Sequence, residues 1–425
     1  MEKIQLQDVF GISREIPKYT YVDRSGLDKK LGYLLKTQRH IVIHGASKQG
    51  KSCLRKKILT EDNSIIVQCQ PLMTSTKDIW ATAFRNLNVK MPSSHEISNK
   101  TLSGENKSGN LGSNFVILKG DYKEEGFNSN ENNSTDNYIS PSGYDEDLRF
   151  LAKNLIEKNK RLVIEDFHYL NEDIRRQVAF SLKALYELGV YVIIIGIWSE
   201  QNLLTYYNGD LTGRIEEINL VWFNPELEEL LQRGENILNI KFSENIKKDM
   251  LDSSFENVGI FQRLSEQICQ ENGIYECQDK IFSICDLNIL EKARAKIIKD
   301  VGQRYLKIFE VFSRGFKSET QLKIYYYIFK ALATKLSDEK LIFGMPTSEL
   351  LTEIQELSPN TIRQTDLTQA LDRIERLQAS RDITPLLVSY NRSLKSLSLT
   401  DREFLFYRKF SEESFDWNEE EQKSE

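Results

Sequence analysis

Short apolar runs bounded by turns alternate with stretches of helical period along the first half of the chain. His40-Ile41-Val42-Ile43-His44, Ser64-Ile65-Ile66-Val67, Arg161-Leu162-Val163-Ile164 and Tyr191-Val192-Ile193-Ile194-Ile195-Gly196 read as buried strands. Between them, Lys51 to Leu59, Thr76 to Leu87, Asp145 to Lys158 and Asn171 to Leu188 follow the helical period. Strands apolar on both faces and alternating with helices predict a parallel α/β sheet. From about Pro92 to Asp145 the pattern breaks into a segment rich in Ser, Asn and Gly, where only Asn114-Phe115-Val116-Ile117-Leu118 resembles a strand. It reads as a surface insertion, largely mobile.

Beyond Trp222 the strands are expected to stop. Asn224 to Ile240, Ser243 to Ser253 and Ile260 to Asn272 are helical by period and predict a small α-helical lid. A further helix is expected over roughly Asn288 to Arg314. The last unit, about Glu319 to Phe410, has helices over Thr320 to Leu336, Thr347 to Leu357 and Asp366 to Ser380. Two strand-like runs follow, Leu386 to Tyr390 and Leu394 to Leu399. Three helices and then a β-hairpin is the winged-helix order. The expected organisation is a core at 1–222 carrying the 92–145 insertion, a lid at 223–298, a linker helix with a winged helix at 299–410, and an acidic tail at 411–425.

Composition adds little to this picture except at the end of the chain. Charged residues near 28% and apolar residues near 40% describe an ordinary soluble protein. No apolar run approaches the roughly 20 residues of a membrane span, and the first residues lack the basic-then-apolar pattern of a secretory signal. Five cysteines without paired spacing argue against a metal site and for a reduced, cytoplasmic setting. The net charge of −6 is concentrated in the tail, where seven acids from Glu412 to Glu425 face only Lys423. Such a tail reads as solvated and frayed.

The first strand runs into Gly45-Ala46-Ser47-Lys48-Gln49-Gly50-Lys51-Ser52, a complete GxxxxGK[ST] loop opening a helix. Glycines allow backbone N–H groups to turn inward around phosphates, and the helix N-terminus adds its positive dipole end. Gly45, Lys48, Gly50, Lys51, Ser52 and Cys53 are therefore the expected nucleotide-binding set, with Lys51 on the β- and γ-phosphates of ATP and Ser52 on Mg2+. The third strand ends in Glu165-Asp166-Phe167-His168, which places two acids where a metal and an attacking water are held. Glu165 is expected to orient magnesium and Asp166 to activate the water, with the reverse assignment open. His168 is read as structural. The fourth strand leads to Ser199, the candidate polar sensor of the γ-phosphate. Arg214, in Asp210-Leu211-Thr212-Gly213-Arg214, is either an arginine that reaches a γ-phosphate in its own or a neighbouring subunit, or a surface arginine closing a helix end.

Together these residues resemble the bacterial P-loop ATPases that lie between the origin-recognition branch of AAA+ proteins and the signal-transducing STAND ATPases. The resemblance also rests on Tyr21-Val22-Asp23-Arg24 with Asp28 and Leu31, which is similar to the segment that contacts adenine in those proteins. It implies adenine contacts from Tyr21, Val22 and Arg24, and an ATP-gated switch that assembles with copies of itself. Most members of this architecture place Asp before Glu at the third strand, so the acid order here is reversed. Asn257-Val258-Gly259-Ile260 lacks the proline of the STAND lid, Arg263 matches the sensor arginine of the origin-recognition lid, and no sensor repeats follow.

In a winged helix the third helix enters the DNA major groove and the hairpin touches phosphate. Here that assigns Arg363, Arg373 and Arg376, with Arg392 and Lys395 at the hairpin, to duplex DNA. From 301 to 410 the count is seventeen Lys and Arg against thirteen Asp and Glu, a mild basic excess. Asp366, Asp372 and Glu375 on the same helix would repel phosphate, and such a unit can instead dock a protein effector. The reading is thus an ATPase switch engaging duplex nucleic acid in defence, replication or transposon control. The alternative is a nucleotide-gated signalling scaffold.

Overall fold

The architecture was obtained as a computed structural model that describes residues 3–13, 15–60, 62–89, 144–198, 201–315 and 323–412, together with 415 and 417. The insertion expected at 92–145 falls almost wholly outside the described residues, as does its strand-like run at 114–118.

Five strands form one parallel sheet: β1 (His40–His44), β2 (Ser64–Gln68), β3 (Arg161–Glu165), β4 (Ile193–Ile195) and β5 (Ile215–Asn219), in the order β2-β3-β4-β1-β5. Alternation along the strands divides their side chains between two layers. Val42, Val67, Leu162, Ile164 and Ile194 face the core beneath helices Thr76–Asn86, Tyr144–Glu157 and Glu172–Glu187. Ile41, Ile43, Val163, Ile193 and Ile195 face the opposite core, which helices Leu27–Leu34 and Lys51–Ile58 cover. This is the three-layer α/β arrangement that the apolar runs predict. The fifth strand escapes the pattern because it is an edge: Ile215, Glu216 and Glu217 are only half-buried, and its run of Ile-Glu-Glu-Ile-Asn is mostly polar.

The strands do not stop at Trp222. After helix Asn224–Leu238, β6 (Ile240–Phe242) pairs in parallel with β7 (Phe282–Ile284), and helices Glu244–Ser254 and Val258–Glu271 lie between them in sequence. At three residues each, these strands are too short to show a period. Helix Leu287–Ser313 then passes from this unit into the C-terminal one. The latter holds helices Ile324–Thr334, Asp338–Phe343, Thr347–Leu357 and Gln364–Ala379, followed by the antiparallel hairpin β9 (Val388–Asn391) and β10 (Ser396–Leu399). A two-residue strand β8 (Met345–Pro346) joins β10, and helix Glu403–Phe410 closes the unit. Its interior is aromatic: Tyr305, Phe312, Phe329, Phe404 and Tyr407 are all fully buried.

Candidate functional site

The register of the sheet decides which residues can meet. His44 pairs with Asn219 and Gln68 with Glu165, so the chain leaves β1, β2 and β3 at the same, carboxyl edge. Gly45, Gln68 and Asp166 therefore converge, although the sequence separates the first and last widely.

The loop after β1 needs its glycines. Gly45 has φ 137°, and a Cβ there would lie 2.6 Å from the Leu220 carbonyl oxygen. Gly50 has φ 79° and turns the chain into helix Lys51–Ile58. Lys48 holds the left-handed conformation with φ 58°, a strained position for a residue with a side chain. Lys51 folds back to donate to the carbonyls of Gly45 (3.1 Å) and Ala46 (2.6 Å). Burial brings its pKa down from 10.5 to about 7, against the opposing pull of Asp166. Behind the loop, buried Arg24 lies 4.5 Å from the centre of the Trp222 ring and donates to the Gln49 carbonyl at 2.8 Å; the Trp222 indole N–H reaches the same oxygen at 3.2 Å. Neither Lys51 nor Arg24 contacts a carboxylate among the described residues. Lys51, half-buried in the cleft, thus feels Asp166 only at a distance, and a partly desolvated cation of this kind is stabilised by an anion that completes the site.

The two acids have different company. Glu165, 7% exposed, accepts from Arg55 Nε at 2.8 Å, which ties β3 to the loop helix. Its carboxyl is raised in pKa by burial, against the pull of Arg55. Asp166 has left-handed backbone (φ 54°) and accepts from Gln68 Nε2. Burial raises its pKa as well, while the bond from Gln68 and the charge of Lys51 lower it. Both acids line a cleft of ≈ 310 Å³ together with Lys48, Gly50, Lys51, Ser52 and Cys53. Glu165 is paired with the Arg55 guanidinium, whereas Asp166 is bonded by the neutral amide of Gln68.

The cleft fits a nucleotide polyphosphate: a glycine-turned loop, a helix N-terminus, the Lys51 ammonium without a carboxylate in contact among the described residues, and an acid opposite. Among the described residues no cluster of three or more His, Cys, Asp or Glu side chains could hold a metal by itself. Magnesium at this site would thus rest on Ser52, one acid, water and the phosphates. What it supplies there is charge neutralisation and orientation of the phosphates.

Other residues singled out in the sequence fall elsewhere. Gly11, Ile12, Ser13 and Pro17 line the cleft from the N-terminal side, where Tyr21, Val22 and Arg24 are expected. Val22 is buried and Tyr21 donates to Asp28, so these side chains build the support behind the loop rather than its mouth. Arg214 is brought to the wrong end of the sheet. Its carbonyl accepts from the His40 amide at the amino edge of β1, one strand length, about 17 Å, from the loop. Its guanidinium pairs with Glu187 at 3.0 Å and lies over Tyr186, which removes any contact with its own chain's nucleotide. Ser199 lies outside the described residues. His168 is buried and neutral, its pKa lowered to about 3 by burial, with Nδ1 accepting from the Ile197 amide.

Lys48 turns its ammonium to Glu403 at 2.7 Å, and Arg263 reaches the same carboxylate at 3.1 Å. In the C-terminal unit, Arg363, Gln369, Arg373 and Arg376 lie on or towards the outer face of helix Gln364–Ala379, and Arg363 and Arg373 are exposed. Glu375 pairs inward with Arg175 of the core at 2.9 Å and accepts from Ser389. Arg392 bonds Glu172 of the core and Asp372, both at 2.9 Å, so it is engaged rather than presented. Lys395 is exposed at the hairpin turn. Gln68, Arg55 and Glu403 carry no motif, and only the fold reveals them. A larger groove of ≈ 960 Å³ along helices Asn224–Leu238 and Glu244–Ser254 holds none of these residues.

Sheet order and loop define a three-layer α/β P-loop fold, with the acid pair at its carboxyl edge. No protein-family model and no curated protein matches the chain. Among solved structures, the Walker-type ATPase PABY2304 of Pyrococcus abyssi is similar over 95% of this chain and 99% of its own, at 14% identity and TM-score 0.49. The Aeropyrum pernix ORC1 protein, solved in complex with DNA, is similar over 97% of this chain and 98% of its own, at 11% identity and TM-score 0.42. The STAND protein with a tetratricopeptide repeat sensor, PH0952 from Pyrococcus horikoshii, is similar over 95% of this chain and 44% of its own, at 11% identity and TM-score 0.36. Likeness at this level carries no argument about function. No helix among the described residues is long and apolar enough to cross a membrane.

The state of Lys51 gives a direct expectation. With its pKa near 7, the ammonium of the nucleotide-free protein is largely neutral above that pH, and bound phosphate restores its charge. ATP binding at about pH 8.5 should take up close to one proton, and affinity should fall by up to about tenfold per pH unit above neutrality. Calorimetry in buffers of different ionisation enthalpy reads the proton; zero uptake would contradict the placement of Lys51.

Proposed function

We propose that this chain is an ATP-hydrolysing switch whose C-terminal unit is a winged helix that engages duplex nucleic acid. The observation that carries the nucleotide half is Lys51, which lines the cleft half-buried and bonds two loop carbonyls, with no carboxylate in contact among the described residues. In this reading Ser52 joins the metal, Asp166 accepts the proton of the attacking water, and Glu165 keeps β3 and the loop helix in register through Arg55. The protein assembles with copies of itself when loaded.

The nucleic-acid half rests on how helix Gln364–Ala379 divides its charges. Gln369, Arg373 and Arg376 share one stripe at helical spacing, and the two arginines make no ion pair among the described residues. Of the acids that oppose phosphate in the bare sequence, Glu375 is turned inward to Arg175, and Asp372, exposed, is neutralised by Arg392. The presented face is therefore more basic than the helix as a whole.

Replacing Arg373 and Arg376 together by Gln should weaken duplex binding and lower the slope of log affinity against log salt by about 2, near one for each phosphate no longer neutralised. A slope and affinity equal to those of the unaltered protein would remove this face from the reading. A protein that co-purifies and is lost with the same double change would move the reading to a protein effector.

A further inference from the structure

The phosphate loop is closed on one side by the C-terminal unit. The Ser47 amide donates to the Thr400 carbonyl at 2.9 Å. Next to it, Lys48 Nζ meets Glu403 Oε1 at 2.7 Å, and Arg263 from helix Val258–Glu271 reaches the same oxygen at 3.1 Å. The other oxygen of Glu403 lies 3.4 Å from Arg304, which also holds Asp401. Asn257 donates to the Ser47 carbonyl at 3.1 Å, and Arg402 donates to the carbonyls of Phe255 at 2.9 Å and Glu256 at 3.2 Å. The short segment from Thr400 to Glu403, where β10 gives way to the last helix, thus grips the loop and the start of the lid helix at once.

The Glu403 side chain is only 3% exposed. A buried carboxylate persists only with its partners in place, and loss of one leaves an uncompensated charge. Lys48 is shared: it lines the nucleotide cleft and it also neutralises Glu403. A polyphosphate entering the cleft competes for that ammonium with several negative charges against one. When Lys48 turns to it, Glu403 keeps only Arg263 and Arg304, and both of these also serve Asp300 or Asp401.

We propose that Glu403 is a built-in anionic ligand of the phosphate loop, which the nucleotide polyphosphate displaces, and that its displacement frees the C-terminal unit from the core. The proposal rests on the nucleotide reading given above. Release would also separate Arg392 from Glu172, so the hairpin arginine becomes available only in the loaded protein.

The test is ATP binding by the full chain, with hydrogen exchange followed at residues 396–410. In the unaltered protein, ATP with magnesium should speed exchange there. Glu403→Gln should show the faster exchange without nucleotide and bind ATP about tenfold more tightly, because the competent state no longer has to be released. Lys48→Met, which leaves Glu403 and its other partners in place, is the second variant should Glu403→Gln not fold; it too should exchange faster without nucleotide. ATP binding with unchanged exchange, and both variants exchanging like the unaltered chain, would overturn the latch. An unaltered chain that binds neither ATP nor ADP would overturn the nucleotide reading, and the latch with it.

Discussion

Lys51→Ala should lower ATP affinity more than about a hundredfold, since truncating one member of a desolvated charge pair costs roughly 3 kcal/mol or more. The side chain lies half-buried at the loop, with two backbone carbonyls as its hydrogen-bond acceptors. Those two bonds are a resting place: they satisfy donors but leave the charge uncompensated, which is why burial pulls the pKa to about 7. Removing the ammonium should therefore leave the melting temperature of the nucleotide-free protein equal or slightly higher. Nucleotide titration and thermal melting on the same preparation separate the two effects. Unchanged affinity would take the phosphate site away from this loop.

Asp166→Asn should slow hydrolysis by about 10²- to 10⁴-fold, the range of a positioned general base. Asn is nearly isosteric and can still accept from Gln68, so the backbone turn at φ 54° and the cleft should survive. ATP affinity should hold or improve, because one negative charge facing the phosphates is gone. Glu165→Gln is the contrasting case. It breaks the buried pair with Arg55 and should cost roughly 3 kcal/mol of stability. Single-turnover hydrolysis beside denaturant unfolding distinguishes them. Hydrolysis abolished by Glu165→Gln with stability intact, and spared by Asp166→Asn, would exchange the two roles.

The order of Glu165 and Asp166 shows where sequence reasoning reaches its limit. Two acids at the end of an apolar run locate the reaction edge of a sheet, because β3 is buried on both faces and only its end can hold charge. Which acid is free is decided by Arg55 and Gln68, and neither residue belongs to a motif. The loop is legible for the opposite reason: its glycines, lysine and serine are local, and φ 137° at Gly45 and 79° at Gly50 explain why glycine stands there. Arg214 stands at the amino edge, away from its own chain's loop, because distance along the chain says nothing about which edge of a sheet a residue reaches. One strand length separates it from that loop. The fifth strand is hidden by the glutamates of an edge, and β6 with β7 by their brevity. Glu403 is 355 positions beyond Lys48, and no pattern in either segment announces their contact.

If ATP releases the C-terminal unit, nucleotide and duplex binding are linked, and linkage of two ligands is reciprocal. The measurement that tests it most directly is the affinity of the full chain for duplex DNA at one fixed salt concentration, without nucleotide, with ADP, and with ATP and magnesium. Duplex binding should be tighter with ATP than without, and that difference should be lost in Lys51→Ala. Equal affinity in all three conditions, or no duplex binding in any of them, would contradict it.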